Sequence, residues 1–231
     1  MGNIFMELQN VPAVDIGAAR DLQELHHPAL PLDSIPPHVL PHLTHLELLW
    51  VTPAELGTFG SFLQQVSRLQ SLTIKCSRQS VDLLLCALAQ AQGCILRLTS
   101  LALIDQDEFR IPALTSGELQ MLFDVFKQLP ALRRFRTSFR CEYKHWAWFL
   151  DGLSVLKDLE VLGVEMNISE ATTRNTINTW AQQLPSGFTA LAITATTGEH
   201  SQQEASNSCG RAVVSWNTSI RGSRQMTDFK S

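Results

Sequence analysis

One phrase recurs along this chain at a nearly fixed spacing, and such self-similarity decides an architecture before any single residue does. In LTHLELLWV, large apolar residues stand at the first, fourth and sixth positions, Leu43, Leu46 and Leu48. The pattern returns in LQSLTI (Leu69, Leu72, Ile74), LTSLAL (Leu98, Leu101, Leu103), LRRFRT (Leu132, Phe135, Thr137), LEVLGV (Leu159, Leu162, Val164) and FTALAI (Phe188, Leu191, Ile193). A weaker copy, LQELHH, holds Leu22 and Leu25. From Leu43 the starts are separated by 26, 29, 34, 27 and 29 residues. Another apolar residue precedes most starts by three positions: Leu40, Val66, Ile95, Leu129 and Leu156. The spacing fits neither a helix nor a plain alternating strand, so each phrase reads as a short strand with a buried lead-in. Thr137, polar at a core position, marks a strand that is less deeply buried or locally irregular.

Parallel strands need long return connections, usually helices, and the gaps carry the helical period. Apolar residues fall at i, i+3, i+4 and i+7 in Val81, Leu84, Leu85, Leu88; in Leu119, Leu122, Phe123, Phe126; in Trp146, Phe149, Leu150, Leu153; and in Ile177, Trp180, Ala181, Leu184. Leu56, Phe59 and Leu63 do the same in the first gap, with Gly60 at the fourth place. TPAE (Thr52 to Glu55) and TSGE (Thr115 to Glu118) are capping boxes, the first with Pro53 at the opening helical position. Pro130 and Pro185 end helices shortly before the next phrase. The order is therefore strand, loop, helix, short turn, strand, repeated from about Leu22 to Thr197. Such units bury a core only by stacking on their neighbours.

The flanks differ. Residues 1–21 read as an N-terminal cap or partial repeat, with one helix expected from Val14 to Leu25. Residues 198–231, rich in Ser, Gln, Gly and Asn, read as a mostly disordered tail.

These LxxLxL phrases with helical returns resemble leucine-rich repeat proteins, whose period is ~20–29 residues. The resemblance covers residues 22–197. It implies an α/β solenoid with short parallel strands on the concave face and helices on the convex face. Phrases such as LPHLTHLEL and LPALRRF look most like the repeat region of fungal F-box proteins, although no F-box segment is found ahead of the repeats. Just beyond the third motif residue, where many such repeats carry an asparagine ladder, the chain reads Val51, Ser77, Gln106, Arg140, Asn167 and Thr196, so one of six matches. The resemblance implies a protein-binding module that recognises substrates for an SCF-type ubiquitin ligase, with a Skp-type adaptor as a second partner. The alternative is a repeat scaffold, or an incomplete gene product, with no dedicated ligand and no catalytic role.

Charge and chemistry narrow the classes. A net charge of -4 gives no pull toward nucleic acid or anionic membrane. Five cysteines with no CxxC or Cys/His zinc spacing suit reduced thiols in a cytoplasmic or nuclear protein. MGNIFMELQN lacks the form of a signal peptide, Met6 stands where myristoylation wants Ser or Thr, and no apolar run approaches ~20 residues. The sequence has no GxSxG, P-loop, GxGxxG or HExxH, so no enzyme and no cofactor is expected. Asp105, Asp107 and Glu108 read as an acidic surface loop. His38, His42 and His45 come close in sequence, but Pro36, Pro37 and Pro41 break the helix that would align them, and no metal site is expected. Trp146, Trp148 and Trp180 read as packing residues, and Trp50, just past its strand, as the most exposed tryptophan.

Residues between the core positions face the concave surface. The candidate ligand-binding residues there are His45, Glu47, Thr73, Lys75, Arg133, Arg134, Arg136, Glu160 and Glu165. Arg133, Arg134 and Arg136 project from one strand, with Glu160 and Glu165 on the next. They read either as a patch for an acidic or phosphorylated protein partner, since Arg forks match carboxylate and phosphate oxygens, or as a solvated strand neutralised by its acidic neighbour.

Overall fold

A computed structural model describes residues 24–27, 32, 35–91, 95–106, 113–142, 145–167, 189–196, 211–218 and 224–229. Strands β1 (Glu24–His27), β2 (His45–Val51), β3 (Ser71–Cys76), β4 (Ser100–Asp105), β5 (Arg134–Glu142), β6 (Val161–Asn167) and β7 (Ala190–Thr196) pair in sequence order, each parallel to the next. Helices α1 (Pro53–Leu63), α2 (Val81–Gln90), α3 (Ser116–Phe126) and α4 (Trp146–Leu153) fill four of the intervals and pack one upon the next. The result is a mixed α/β fold in which strand and helix alternate.

The recurring phrase builds three things at once. Its apolar positions are buried in every described copy from Leu43 to Val164 and form one core with the helix residues. The apolar residue three places ahead closes a tight turn, because the N–H groups of Leu43, Leu69, Leu98, Leu132 and Leu159 donate to the carbonyls of Leu40, Val66, Ile95, Leu129 and Leu156 at 3.0–3.3 Å. The carbonyl after each phrase's first residue then joins neighbouring units. Those of Thr44, Gln70, Thr99, Arg133 and Glu160 each accept two N–H donors from the following unit at 2.8–3.0 Å. Backbone polar groups at the strand entrances are thus satisfied by the next unit in line, as their partial burial requires.

Two strands depart from plain alternation. Leu46, Leu48 and Val51 are all buried, which a strict period of two forbids. The register of β2 on β3 shifts between Leu48↔Ile74 and Val51↔Cys76, so three steps on β2 oppose two on β3 and Val51 turns inward. In β5, Thr137 sits at a core position and is buried, not shallow; the irregularity expected of this strand is present just beyond it. The register on β6 moves between Thr137↔Val164 and Cys141↔Met166, and the Thr137 hydroxyl accepts the Phe139 N–H at 3.1 Å.

The helices match their periodicity. Leu56, Phe59 and Leu63 of α1, Val81, Leu84, Leu85 and Leu88 of α2, Leu119, Leu122, Phe123 and Phe126 of α3, and Trp146, Phe149, Leu150 and Leu153 of α4 are buried. Thr52 with Glu55 and Thr115 with Glu118 close both expected capping boxes. Trp148 is partly buried against the core. A Cβ at Gly60 would lie 3.3 Å from the Ala87 carbonyl oxygen, which shows how closely α1 and α2 approach.

Three expectations are revised. The helix expected from Val14 to Leu25 does not reach its end: Glu24–His27 is a strand, with Leu25 buried opposite Leu46, so the weak copy behaves as a repeat. Asp105 is not in a loop but is the buried last residue of β4, its N–H donating to Ser138 Oγ at 2.6 Å. Within 198–231, expected to be mostly disordered, β8 (Arg211–Thr218) and β9 (Arg224–Phe229) extend the sheet antiparallel to nine strands. Composition hid them because the apolar run AVVSW is short, whereas register against β7 supplies the pairing. Residues 1–21, Asp107, Glu108, the helix expected around Ile177 to Leu184 and the Trp50 side chain lie outside the described residues.

Candidate functional site

The face of the sheet away from the core carries the residues between the motif positions, which stay half-buried or exposed. Register sorts them into rows. The first row is His45, Ser71, Ser100, Arg134 and Val161; the second is Glu47, Thr73, Ala102, Arg136 and Gly163. Lys75 is opposite Ile104, and Glu165 is opposite Thr194. Seven of the nine expected site residues therefore spread over three rows, while Arg133 and Glu160 stand one residue before β5 and β6, and the nine do not form one cluster. Successive rows lie ~6.6 Å apart along the strands.

The three arginines, expected as a unit, separate by environment. Arg133 leads into β5 and pairs with Glu160 at 3.5 Å, both side chains being about half exposed (59% and 41%). Such an exposed pair contributes only ~0–1 kcal/mol. Arg134 and Arg136 are exposed and make no side-chain hydrogen bond or ion pair among the described residues. The stem of Arg136 rests on the next strand, where a Cβ at Gly163 would come within 3.2 Å of its Cγ. Gly163 thus gives that aliphatic stem room to lie flat.

An open groove of about 530 Å³ runs along the strand entrances of this face. Its β2 end is His45, whose Nδ1 is 2.9 Å from Thr44 Oγ1. Its middle is formed by Gln70, Ser71, Thr99 and Ser100. Ala131, Arg133 and Arg134 follow at β5, and Asp158 and Glu160 close the β6 end. Of the expected residues, the groove gathers His45, Arg133, Arg134 and Glu160; Glu47, Thr73, Lys75 and Arg136 are not among its walls, and the Glu165 side chain lies outside the described residues. Sequence reading placed Ser71 and Ser100 on this face without singling them out. Asp158 was missed altogether, because it lies in the turn before β6 and outside the strand pattern.

A second polar cluster lies in the core and has no sequence signal of its own. Arg78, in the turn before α2, forms a two-pronged ion pair with Glu118, its Nη1 bonding Oε1 and its Nη2 bonding Oε2 at 2.5 Å, and Nη2 also donates to the Ala113 carbonyl at 3.0 Å. Glu118 is also the acidic member of the α3 capping box, accepting from the Thr115 N–H at 2.6 Å. Burial alone would push the Glu118 carboxyl up. The Arg78 hydrogen bond, the Thr115 donors and the Arg78 charge outweigh it, so the carboxyl lies below its ordinary range. Neighbouring Asp82 is pushed up by burial and by Glu118. This pair joins α2 to α3 and is read as structural.

Two of the three described thiols are out of reach of a substrate. Cys76 and Cys141 are buried, and burial with the Glu142 charge pushes the Cys141 thiol up to about 12. Cys86 is exposed and within 3.9 Å of Met121 Sδ. Among the described residues, no group of three His, Cys, Asp or Glu side chains is placed to hold a metal, and no helix is long and apolar enough to cross a membrane. No protein-family model matches the chain, and no curated protein matches it.

Proposed function

We propose that this chain is a leucine-rich-repeat solenoid that binds a protein partner on the open face of its parallel sheet and performs no chemistry of its own. The observation that carries the reading is the pair Arg134 and Arg136, two exposed guanidinium groups without a partner among the described residues, beside a groove of about 530 Å³ at the strand entrances. A pocket of a few hundred Å³ is ligand-sized, and arginine is the side chain suited to carboxylate and phosphate oxygens. The repeat assignment is supported by the phrase itself, by the lead-in turn and by the carbonyl ladder that recurs unit by unit. Resemblance of the phrases to fungal F-box repeats extends the proposal to substrate recognition for an SCF-type ubiquitin ligase.

The Arg133–Glu160 pair favours the competing scaffold reading at one position, since that cation is already engaged. Affinity purification of the chain from its own cells, beside the Arg133→Glu, Arg134→Glu, Arg136→Glu triple variant, separates the two. Recovery of a Skp-type adaptor and a cullin, with a further protein lost in the folded variant, supports substrate recognition. Recovery of the same proteins by both forms contradicts the arginine face, and recovery of none favours the scaffold.

A further inference from the structure

The lead-in turns share one geometry, so their two central residues form rows of their own along the rim where the strands begin. In each turn the carbonyl of the first residue receives the N–H of the fourth. His42, Arg68 and Arg97 hold the third place in the turns before β2, β3 and β4, and all three are exposed. None of them makes a side-chain hydrogen bond or ion pair among the described residues. Thr44, Gln70 and Thr99 stand two residues beyond them and are bonded in series, the Gln70 N–H to the Thr44 carbonyl and the Thr99 N–H to the Gln70 carbonyl, both at 2.8 Å. The three turns therefore lie side by side. Parallel strands step by ~4.8 Å, and like charges in adjacent positions are destabilising, so Arg68 and Arg97 are neighbours at a cost to the fold. The second place of the turns is mostly apolar: Pro41, Leu96 and Pro130 are exposed there, with Ser67 between the first two. Leu96, at 47%, is as exposed as any large apolar side chain among the described residues. An apolar row thus runs beside a basic one, and both end at the turn before β6, where Lys157 and Asp158 take these places.

We infer that this rim is a second contact surface, and that its occupant is an acidic amphipathic helix of a protein partner. The inference rests on the reading of the chain as a protein-binding solenoid, but not on the arginines of the open face. Residues three and four apart on a helix are ~5–6 Å from one another, close to the ~4.8 Å step between units, so one turn of the helix meets one unit. The apolar stripe of such a helix rests on Pro41, Leu96 and Pro130. An Asp or Glu beside that stripe reaches Arg68 and Arg97, whose planar forks match carboxylate oxygens. An anionic membrane fits less well. One exposed leucine between two prolines has little to bury in a bilayer, and both Asp158 at the end of the rim and the net charge of -4 oppose an extended anionic surface.

Fluorescence polarisation with the full chain tests this using three degenerate pools of helix-forming peptides, which share an apolar stripe of leucines and carry Glu, Gln or Lys beside it. The Glu pool is expected to bind best and to lose about tenfold with Arg68→Gln/Arg97→Gln, the scale of hydrogen bonds to a charged group. Leu96→Ser is expected to lose about as much, the scale of one buried leucine. Arg134→Gln/Arg136→Gln should leave the affinity unchanged. Unchanged unfolding midpoints show that these surface variants remain folded. Equal binding of the Glu and Gln pools overturns the basic row. Loss with the Arg134/Arg136 variant alone overturns the rim and leaves the open face as the binding surface. Sedimentation with phosphatidylserine vesicles, abolished by Arg68→Gln/Arg97→Gln, assigns the rim to a membrane and overturns the helix. Failure of every pool overturns the rim, and the purification with the arginine triple variant then decides the open face by itself.

Discussion

Arg78 and Glu118 are 40 residues apart in sequence and meet in the core with both oxygens of the carboxylate engaged. Removing one member of such a pair leaves a buried charge alone, which costs ~3–5 kcal/mol. Glu118→Gln and Arg78→Met are each expected to lower stability by that amount in urea unfolding, whereas a double change to apolar residues costs less. The pH dependence has a definite sign. Because the folded Glu118 carboxyl lies below its unfolded value, its contribution is fully present above the unfolded carboxyl pKa of ~4.3 and is lost as pH falls through the folded value. Asp82, raised, acts oppositely: the folded state gains relative stability as the pH falls through its raised value. Glu118→Gln should therefore flatten the acid limb of the stability curve. Thiol chemistry gives a simpler expectation. An alkylating reagent at pH 8 should modify Cys86 on the folded chain and spare the buried Cys76 and Cys141, the latter with its thiol pushed up to about 12 by burial. None of this was legible in the sequence, where Glu118 announced only a capping box and Arg78 nothing, because the partners meet through stacking and not through spacing.

At the scale of elements, sequence and structure agree wherever a local rule decides. Capping boxes at Thr52 and Thr115 are closed by hydrogen bonds within four residues, so their chemistry could be read directly. Thr115→Ala should cost ~0.5–2 kcal/mol and more than Thr52→Ala, since Thr115's partner Glu118 also anchors Arg78. Gly152 offers a sharper test, because two principles give opposite signs. Replacing a helical glycine with alanine should stabilise by up to ~1 kcal/mol on propensity. A Cβ at Gly152, however, would sit 2.3 Å from the Phe123 ring, where α4 presses on α3. Overpacking costs ~1–3 kcal/mol, so Gly152→Ala is expected to lower the thermal midpoint. The bulge of β5 was legible only as a disturbance, a polar Thr137, and that of β2 was not foreseen. Their resolution depends on register with the adjacent strand, and no single phrase contains that information.

Across the whole molecule, each strand bonds the strand of the next unit and each described helix packs on the next. Stability in such a stack is a sum over neighbours, which is why a fixed period in the sequence was enough to foresee strands, helices and core from Leu43 to Val164. The open face is a different kind of feature. No period specifies what it displays, and the three arginines that look equivalent in LRRFRT end with three neighbourhoods: Glu160, the serine row, and Gly163. Register alone sets Ser71 beside Ser100 and Ser100 beside Arg134. The central claim is that this face, and not the outer side of the helices, meets the partner. Hydrogen exchange of the chain alone and with the protein recovered by the wild-type chain tests it most directly. Protection at Ser71, Ser100 and Arg134, with exchange around the exposed Leu83 and Val155 unchanged, is the result expected. Protection confined to the segments around Leu83 and Val155 would contradict it.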